Sequence, residues 1–320
     1  MAKIAVLTSG GDAPGMNACI RAVIRSGIKA GCEMYVVYEG YKGLVEGKIE
    51  QVDRNFVSDT INRGGTILRT ARLPEFKEEF MQKIALKQLK DNDIDAVICI
   101  GGDGTFRGAQ ALSKMGIQTV GIPATIDNDI ASTEFTIGFD TCLNTIVDCV
   151  DKIRDTTASH QRCTFIEVMG NKCGDLALYS GISEGVEMIL TPEEQLTEEE
   201  IIKKLKSFKG GKKKHSLVIV SEKVFDDIHQ EVKVIEEKTG IECRAEVLGH
   251  LQRGGAPSAK DRILATRFGV AAIDAIMDGE TNVCLGIFCE EIKRIKIDDA
   301  LKMEMPDHHD LLRIIKIVNR

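Results

Sequence analysis

The residues of this sequence that could do chemistry gather in short turns rich in glycine and aspartate. In "GGDGTF", Gly101 to Phe106, the glycines Gly101, Gly102 and Gly104 let the backbone turn tightly and approach an anion, and Thr105 opens the helical pattern that follows. Asp103, in the middle of this turn, would repel a phosphate that met it directly. A bound Mg²⁺ between the carboxylate and a polyphosphate resolves the conflict, and a simple helix cap at Asp103 is the alternative. A second turn, "PATIDNDI", carries Asp127 and Asp129 two residues apart. An extended segment would point both carboxylates the same way, which suits metal chemistry or the removal of a proton from a substrate hydroxyl. The same letters could make an Asx-type surface turn, but the strand order puts this turn beside the first and favours the functional reading.

An anionic ligand would need cations supplied locally, because Lys+Arg 42 against Asp+Glu 49 leaves the chain at −7. That balance argues against nucleic acid or an anionic membrane as a partner. Candidate anion grips are Arg72 in "RTARLPEF", Arg162 in "SHQRC", Arg244 in "ECRAEVLG", and His250 with Arg253 in "GHLQRGG". Arg21 and Arg25 share one face of the first helical pattern, away from Ile20, Val23, Ile24 and Ile28. With Arg54, Arg154 and the run Lys212-Lys213-Lys214 they are either ordinary surface charge or a second anion site remote from the chemistry.

The elements that must position these turns are legible as β-branched apolar runs, each followed by a turn and a helical pattern: "KIAVLTS", "EMYVVYE", "DAVICI", "IQTVGIP", "RCTFIEVM", "SLVIVSE" and "NVCLGIF". Such alternation predicts an α/β fold with parallel sheets covered on both faces, where ligands gather at the C-terminal strand ends. "GGD" follows a strand twice, at Gly10-Gly11-Asp12 and at Gly101-Gly102-Asp103. A long helix is predicted from Phe139, and Ser258 to Asp261 reads as a capping box opening a later helix. A length of 320 residues allows two domains. The chain is expected to return to the first of them after about residue 256. The apolar run Ile4 to Leu7 is too short for a signal peptide, so a cytosolic protein is expected. Its ten cysteines, none in a C-x-x-C pair and several inside apolar runs, then read as buried free thiols.

Taken together, "TSGGDAPGMNA", "INRGGT", "IGGDGTF", "TIDNDI", "TIGFDT", "RDTTASHQR", "EVMG", "CGDLAL" and "GHLQRGG" closely resemble the bacterial-type ATP-dependent 6-phosphofructokinase family over essentially the whole chain. The resemblance implies two Rossmann-like three-layer α/β/α domains with mainly parallel sheets and the active site in the cleft between them. Residues 1–138 plus about 256–303 would bind ATP and Mg²⁺, and about 139–255 plus 304–320 would bind fructose 6-phosphate. By resemblance Gly11, Arg72, Leu73, Gly102, Gly104 and Thr105 hold ATP, Asp103 holds Mg²⁺, and Asp127 is the general base for the sugar 1-hydroxyl, with Thr125 and Asp129 beside it. Met169, Gly170, Asn171, Glu222, His250 and Arg253 would hold the sugar. Arg162 and Arg244 would reach the 6-phosphate from a neighbouring subunit of a homotetramer. Arg21, Arg25, Arg54, Ser58, Asp59, Arg154, Gly185, Glu187, Lys213 and Lys214 match the family's effector pocket for activating ADP or inhibiting phosphoenolpyruvate.

Departures from the family pattern are as informative. Asn171 stands where an arginine is common, so one charge contact is missing or is replaced from elsewhere. Leu73 replaces an aromatic, Gly211 a basic effector residue, Arg69 and Thr70 a small pair, and Ala124 a glycine. Pyrophosphate-dependent relatives carry an aspartate in place of Gly104 and a lysine in place of Ala124, so the small residues here imply ATP as donor. Another kinase with a "GGDGT" turn, or a catalytically weak paralogue that binds sugar phosphate and nucleotide as a regulator, are the alternative readings.

Overall fold

The structure is a computed structural model of the chain, describing residues 1–208, 214–306 and 308–318. Strands are β1 (Lys3–Thr8), β2 (Glu33–Val37), β3 (Ile49–Val52), β4 (Ala96–Gly101), β5 (Gln118–Pro123), β6 (Cys163–Val168), β7 (Met188–Leu190), β8 (Ser216–Ser221), β9 (Cys243–Val247), β10 (Val283–Phe288) and β11 (Glu291–Lys296). Between them run helices α1 (Met16–Lys29), α2 (Gly40–Val45), α3 (Glu79–Asp91), α4 (Asp103–Lys114), α5 (Phe139–His160), α6 (Asp175–Glu184), α7 (Glu198–Phe208), α8 (Ile228–Thr239), α9 (Ala259–Met277), α10 (Ile297–Ala300) and α11 (His309–Val318). The chain divides into a first compact unit, Met1–Ile126, Ile130–Thr141 and Arg253–Met305, and a second, Asp127–Asp129, Cys142–Gln252 and Pro306–Arg320.

In the first unit the strands lie in the order β11-β10-β5-β4-β1-β2-β3, parallel from β10 to β2 and antiparallel at both edges. The central strands are apolar on both faces because helices cover both, as a parallel sheet requires. Ala5, Leu7, Val97 and Cys99 face a core with Tyr41, Phe76, Leu89, Phe106 and Leu112. Their alternates Ile4, Val6, Ile98 and Ile100 are equally buried and point the other way, to the side where α1 packs on α9. The edge strands β3 ("IEQV") and β11 ("EIKRIK") carry exposed charges, which is how an edge discourages pairing and why neither reads as a strand. The second unit holds an all-parallel sheet, β7-β8-β6-β9, around a core that includes Phe165, Leu205, Val218, Val220 and Ile235. The α/β class expected from the sequence is the one found.

The capping box at Ser258 is only half formed. Ser258 Oγ accepts from Asp261 N, as a cap should, but the Asp261 carboxylate turns away from the helix start. It accepts from Gly138 N (2.9 Å), Thr141 N (2.8 Å) and Thr141 Oγ1 (2.5 Å), while Ser258 N donates to Thr141 Oγ1. A buried carboxylate gains more from several fixed donors at the start of α5 than from one amide at a solvent-facing cap. Desolvation raises its pKa, and the bonds from Thr141 and Gly138 oppose that rise.

Eight cysteines are buried, Cys149 is half-buried and Cys289 is exposed. Burial pushes the thiol of Cys99 up to about 12 and that of Cys284 up to about 11. Alkylation of the native protein at pH 8 is therefore expected to label Cys289 rapidly and Cys99 and Cys284 only after unfolding. Mass spectrometry of the labelled peptides checks this. Asp261→Ala is expected to cost about 3 kcal/mol, read by denaturant unfolding, because three buried donors lose their acceptor. Asp261→Asn should recover part of it.

Candidate active site

Parallel pairing brings the predicted turns of the first unit to one level. Thr8 is in register with Ile100, and Gly101 with Pro123, so the turns after β1, β4 and β5 leave the sheet side by side. Ser9 N donates to Ile100 O, Thr105 Oγ1 to Ser9 O (3.0 Å), and Ala124 N to Gly101 O. A Cβ on Gly101 would lie 2.3 Å from Ser9 O and 2.4 Å from Thr105 Oγ1, so only glycine permits this approach. By contrast, a Cβ on Gly102 or Gly104 would meet no atom within 4 Å. Packing within the chain gives no reason for glycine at those two positions, whereas close approach of a ligand to the backbone would. Asp103 is exposed in the first turn of α4, beside the helix N-terminus. The Thr105 hydroxyl is committed to Ser9, and Tyr41 Oη donates to Thr105 O (2.6 Å), so this side chain joins the turns rather than facing outward.

Arg253 lies across the first glycine turn. A Cβ on Gly11 would sit 2.2 Å from Arg253 Nη1, and that nitrogen donates to Asp12 O at 3.3 Å. The loop carrying Arg72 is tied to the same strand end: Thr8 Oγ1 donates to Arg69 O, Thr70 Oγ1 donates to Gly10 O, and Asn17 binds Arg63 O, Gly64 O and Ile67 N. These tethers were not evident in the sequence, where Thr70 reads only as a departure. Arg72 itself is exposed, and Leu73 is half-buried against the core.

The segment 127–129 is not extended, contrary to the sequence reading. Asn128 has φ +52°, a left-handed turn, so the placing of Asp127 and Asp129 on one side does not follow from strand alternation. The cause is a long-range contact. Asn128 is buried, and its Nδ2 donates to Oδ2 of buried Asp175 at 2.8 Å, while His308 Nε2 lies 2.9 Å from Asp175 Oδ1. Desolvation raises the Asp175 pKa, offset first by the bond from Asn128 and then by the charge of His308. Asp127 is also buried, at 7 % exposure.

Register gathers the remaining second-unit residues at the C-terminal ends of β6 and β8, where Val168 pairs with Ser221. Met169 N donates to Oε1 of the fully buried Gln252, which in turn donates to Gly249 O and so fixes the turn that carries His250. Gly170 must be glycine, since a Cβ there would lie 2.3 Å from Cys173 O. Asn171 (φ +57°) donates through N to Glu222 Oε1 at 2.6 Å and through Nδ2 to Asp129 Oδ2 at 3.1 Å, and receives Lys223 Nζ on Oδ1 at 2.6 Å. Burial, followed by the Glu222 charge, raises the Glu167 pKa, a sign of the negative charge concentrated here.

Arg162 and Arg244 are not part of this group. Arg162 precedes β6, Arg244 lies on the neighbouring strand β9 in register with Thr164, and both face Glu242, at 4.0 and 2.8 Å, near the N-terminal ends of these two paired strands. Of the expected effector residues, Arg21, Arg25 and Arg54 share one neighbourhood: burial, then Arg25 and Arg54, lowers the Arg21 pKa. Ser58 and Asp59 lie in the turn that follows Arg54. Arg154 pairs with Glu184 at 2.8 Å, Gly185 caps α6 with φ +56°, and Glu187 Oε2 accepts from Leu217 N. Lys214 is exposed; Gly211, Lys212 and Lys213 lie outside the described residues.

Fold and strand-end turns define an α/β protein suited to phosphorylated ligands. The sequence profile of the phosphofructokinase family matches residues 3–276, and the chain belongs to that family. It is 52% identical over 321 residues, the whole of both chains, to an ATP-dependent 6-phosphofructokinase of Clostridium botulinum, and 50% identical over 315 residues, 98% of each, to one of Photobacterium profundum. Among solved structures it is similar to the phosphofructokinase of Saccharomyces cerevisiae, with TM-score 0.88 and 33% identity, covering 100% of this chain and 47% of that one.

The Asp175 contact generates a test. Asp175→Ala strands the buried Asn128 amide and is expected to cost about 2 kcal/mol in denaturant unfolding. Asp175→Asn, which keeps an acceptor, should cost less, and unchanged stability in the alanine variant would refute the tether.

Proposed function

We propose that this protein transfers the γ-phosphoryl group of ATP to the 1-hydroxyl of D-fructose 6-phosphate, giving fructose 1,6-bisphosphate and ADP, a committed step of glycolysis. The observation that carries the reading is full-length identity of about half to ATP-dependent 6-phosphofructokinases, joined to a buried Asp127 set in a turn fixed from both sides.

In this reading Asp127 accepts the hydroxyl proton as the oxygen attacks. Tethers on the residues that follow it, Asn128 and Asp129, favour one position for this carboxylate, which is what proton transfer in flight requires. The backbone of 102–104 and the N-terminus of α4 receive the donor phosphates, with Arg72 adding charge, and Arg253 is assigned to the sugar. Met169, Gly170, Glu222 and His250 hold the sugar, so the first unit serves the nucleotide and the second the sugar phosphate. Among the described residues, no cluster of three or more His, Cys, Asp or Glu side chains could cage a metal ion. An exposed Asp103 beside open glycines fits Mg²⁺, which keeps most of its waters and arrives on the phosphates. When bound, Mg²⁺ would neutralise charge on the transferred group. No described helix is long and apolar enough to cross a membrane, and we place the protein in the cytoplasm.

Regulation belongs to the same proposal. Arg21, Arg25 and Arg54, with Ser58, Asp59, Arg154, Gly185, Glu187, Lys213 and Lys214, would bind ADP or phosphoenolpyruvate in a homotetramer. Burial is the larger cause of the lowered Arg21 pKa, and the charges of Arg25 and Arg54 lower it further, a proximity of like charges that an anion would relieve.

Two assays follow. Asp127→Ser is expected to lower kcat by roughly two to four orders of magnitude in a coupled ADP-release assay, and near-normal turnover would sink its assignment as base. ATP should support faster turnover than pyrophosphate, since Gly104 leaves open space and Ala124 adds no charge; the reverse order would overturn the donor choice.

A further inference from the structure

Asn171 removes a positive charge that the family commonly has, yet the surroundings are acidic: Asp129 and Glu222 both bind Asn171 directly. A phosphoryl group transferred to a sugar hydroxyl at Asp127 would come beside these carboxylates, and a cation here would offset their charge. The structure offers one that the sequence reading did not single out. Lys223 follows Glu222 in the chain, has φ +68°, and directs Nζ onto Asn171 Oδ1 at 2.6 Å. Its partner is an amide oxygen rather than a carboxylate, so its charge is not cancelled by that contact. The Asn171 amide spans the gap, with ammonium on its oxygen and Asp129 on its nitrogen. The two non-glycine residues that make this contact, Asn171 and Lys223, both adopt the left-handed conformation. Such backbone is retained where surrounding structure demands it.

We propose that Lys223 is a catalytic cation of this protein, which with Asn171 does the task of a single arginine by placing an ammonium group against the phosphoryl group during transfer. The proposal rests on the phosphotransfer reading given above. Asn171 supplies the planar spacer that holds Asp129, and Lys223 supplies the charge; because the ammonium sits on an uncharged oxygen, it can move onto a phosphate without breaking an ion pair.

The test is kinetic, on the full-length protein with Mg-ATP and fructose 6-phosphate, using Lys223→Met, Lys223→Arg, Asn171→Arg and the double variant Asn171→Arg/Lys223→Met. Lys223→Met is expected to lower kcat by about tenfold or more, with KM for both substrates changing far less, the signature of a contact made mainly in the transition state. Lys223→Arg should retain most of the activity. In the double variant, the restored arginine should recover most of the lost kcat. Melting temperatures with and without Mg-ATP show that each variant folds and binds nucleotide. A Lys223→Met enzyme with unchanged kcat, or a folded double variant no faster than Lys223→Met, would overturn the role of Lys223 alone. Absence of turnover in the unmodified protein would overturn the phosphotransfer reading, and this proposal with it.

Discussion

The close approach of two parallel strand ends, at Ser9 and Gly101, is the constraint on which the first unit's site depends. A side chain at 101 would collide with the Ser9 carbonyl and the Thr105 hydroxyl, so its absence lets the turns after β1 and β4 share hydrogen bonds. That contact sets the start of α4, and with it the direction in which Asp103 and the glycines around it face. Tyr41, buried against Phe76 with ring centroids 4.3 Å apart, holds the same turn through Thr105 O. Backbone donors aimed at an anion serve only if they need not rearrange when it arrives. Here they are held by bonds that do not involve the ligand.

The second unit solves a related problem with buried charge. Asp175 is expensive to bury, as its raised pKa records, and is tolerated because Asn128 and His308 engage its two oxygens. Removing a partner from such a group costs more than the pair ever contributed, so the arrangement is specific even where it adds little net stability. What it specifies is the left-handed turn at Asn128, and therefore where Asp127 and Asp129 stand.

The seven apolar runs and the glycine turns were legible because their causes are local: β-branched alternation, a tight turn, and helical spacing. What escaped were features whose causes lie far along the chain. Asn128 meets Asp175 47 positions away, Asn171 meets Glu222 51 away, and Asp261 abandons its own helix cap for Thr141, 120 away. No spacing rule announces these pairings. Lys223 has no motif at all, and its interest arises only from the amide it touches. The charged edge strands β3 and β11 escaped for the opposite reason, since their sequences are shaped to look unlike strands.

Arg162 and Arg244 stand at the end of their sheet opposite to the turns of Met169 and Gly170. β6 spans six residues, Cys163 to Val168, about 20 Å of extended chain. Arg162 stands before its start, and the loop of Met169 and Gly170 follows its end. Both arginines are anchored on the shared Glu242, which keeps them together and at that end of the sheet. If they grip the 6-phosphate, as the family resemblance implies, the sugar they serve cannot be the one held at the far end of their own sheet. A second copy of the chain must then bring its arginines to the first. Under that condition substrate binding and subunit arrangement would form one equilibrium, because any shift between copies would move those charges relative to the site they complete.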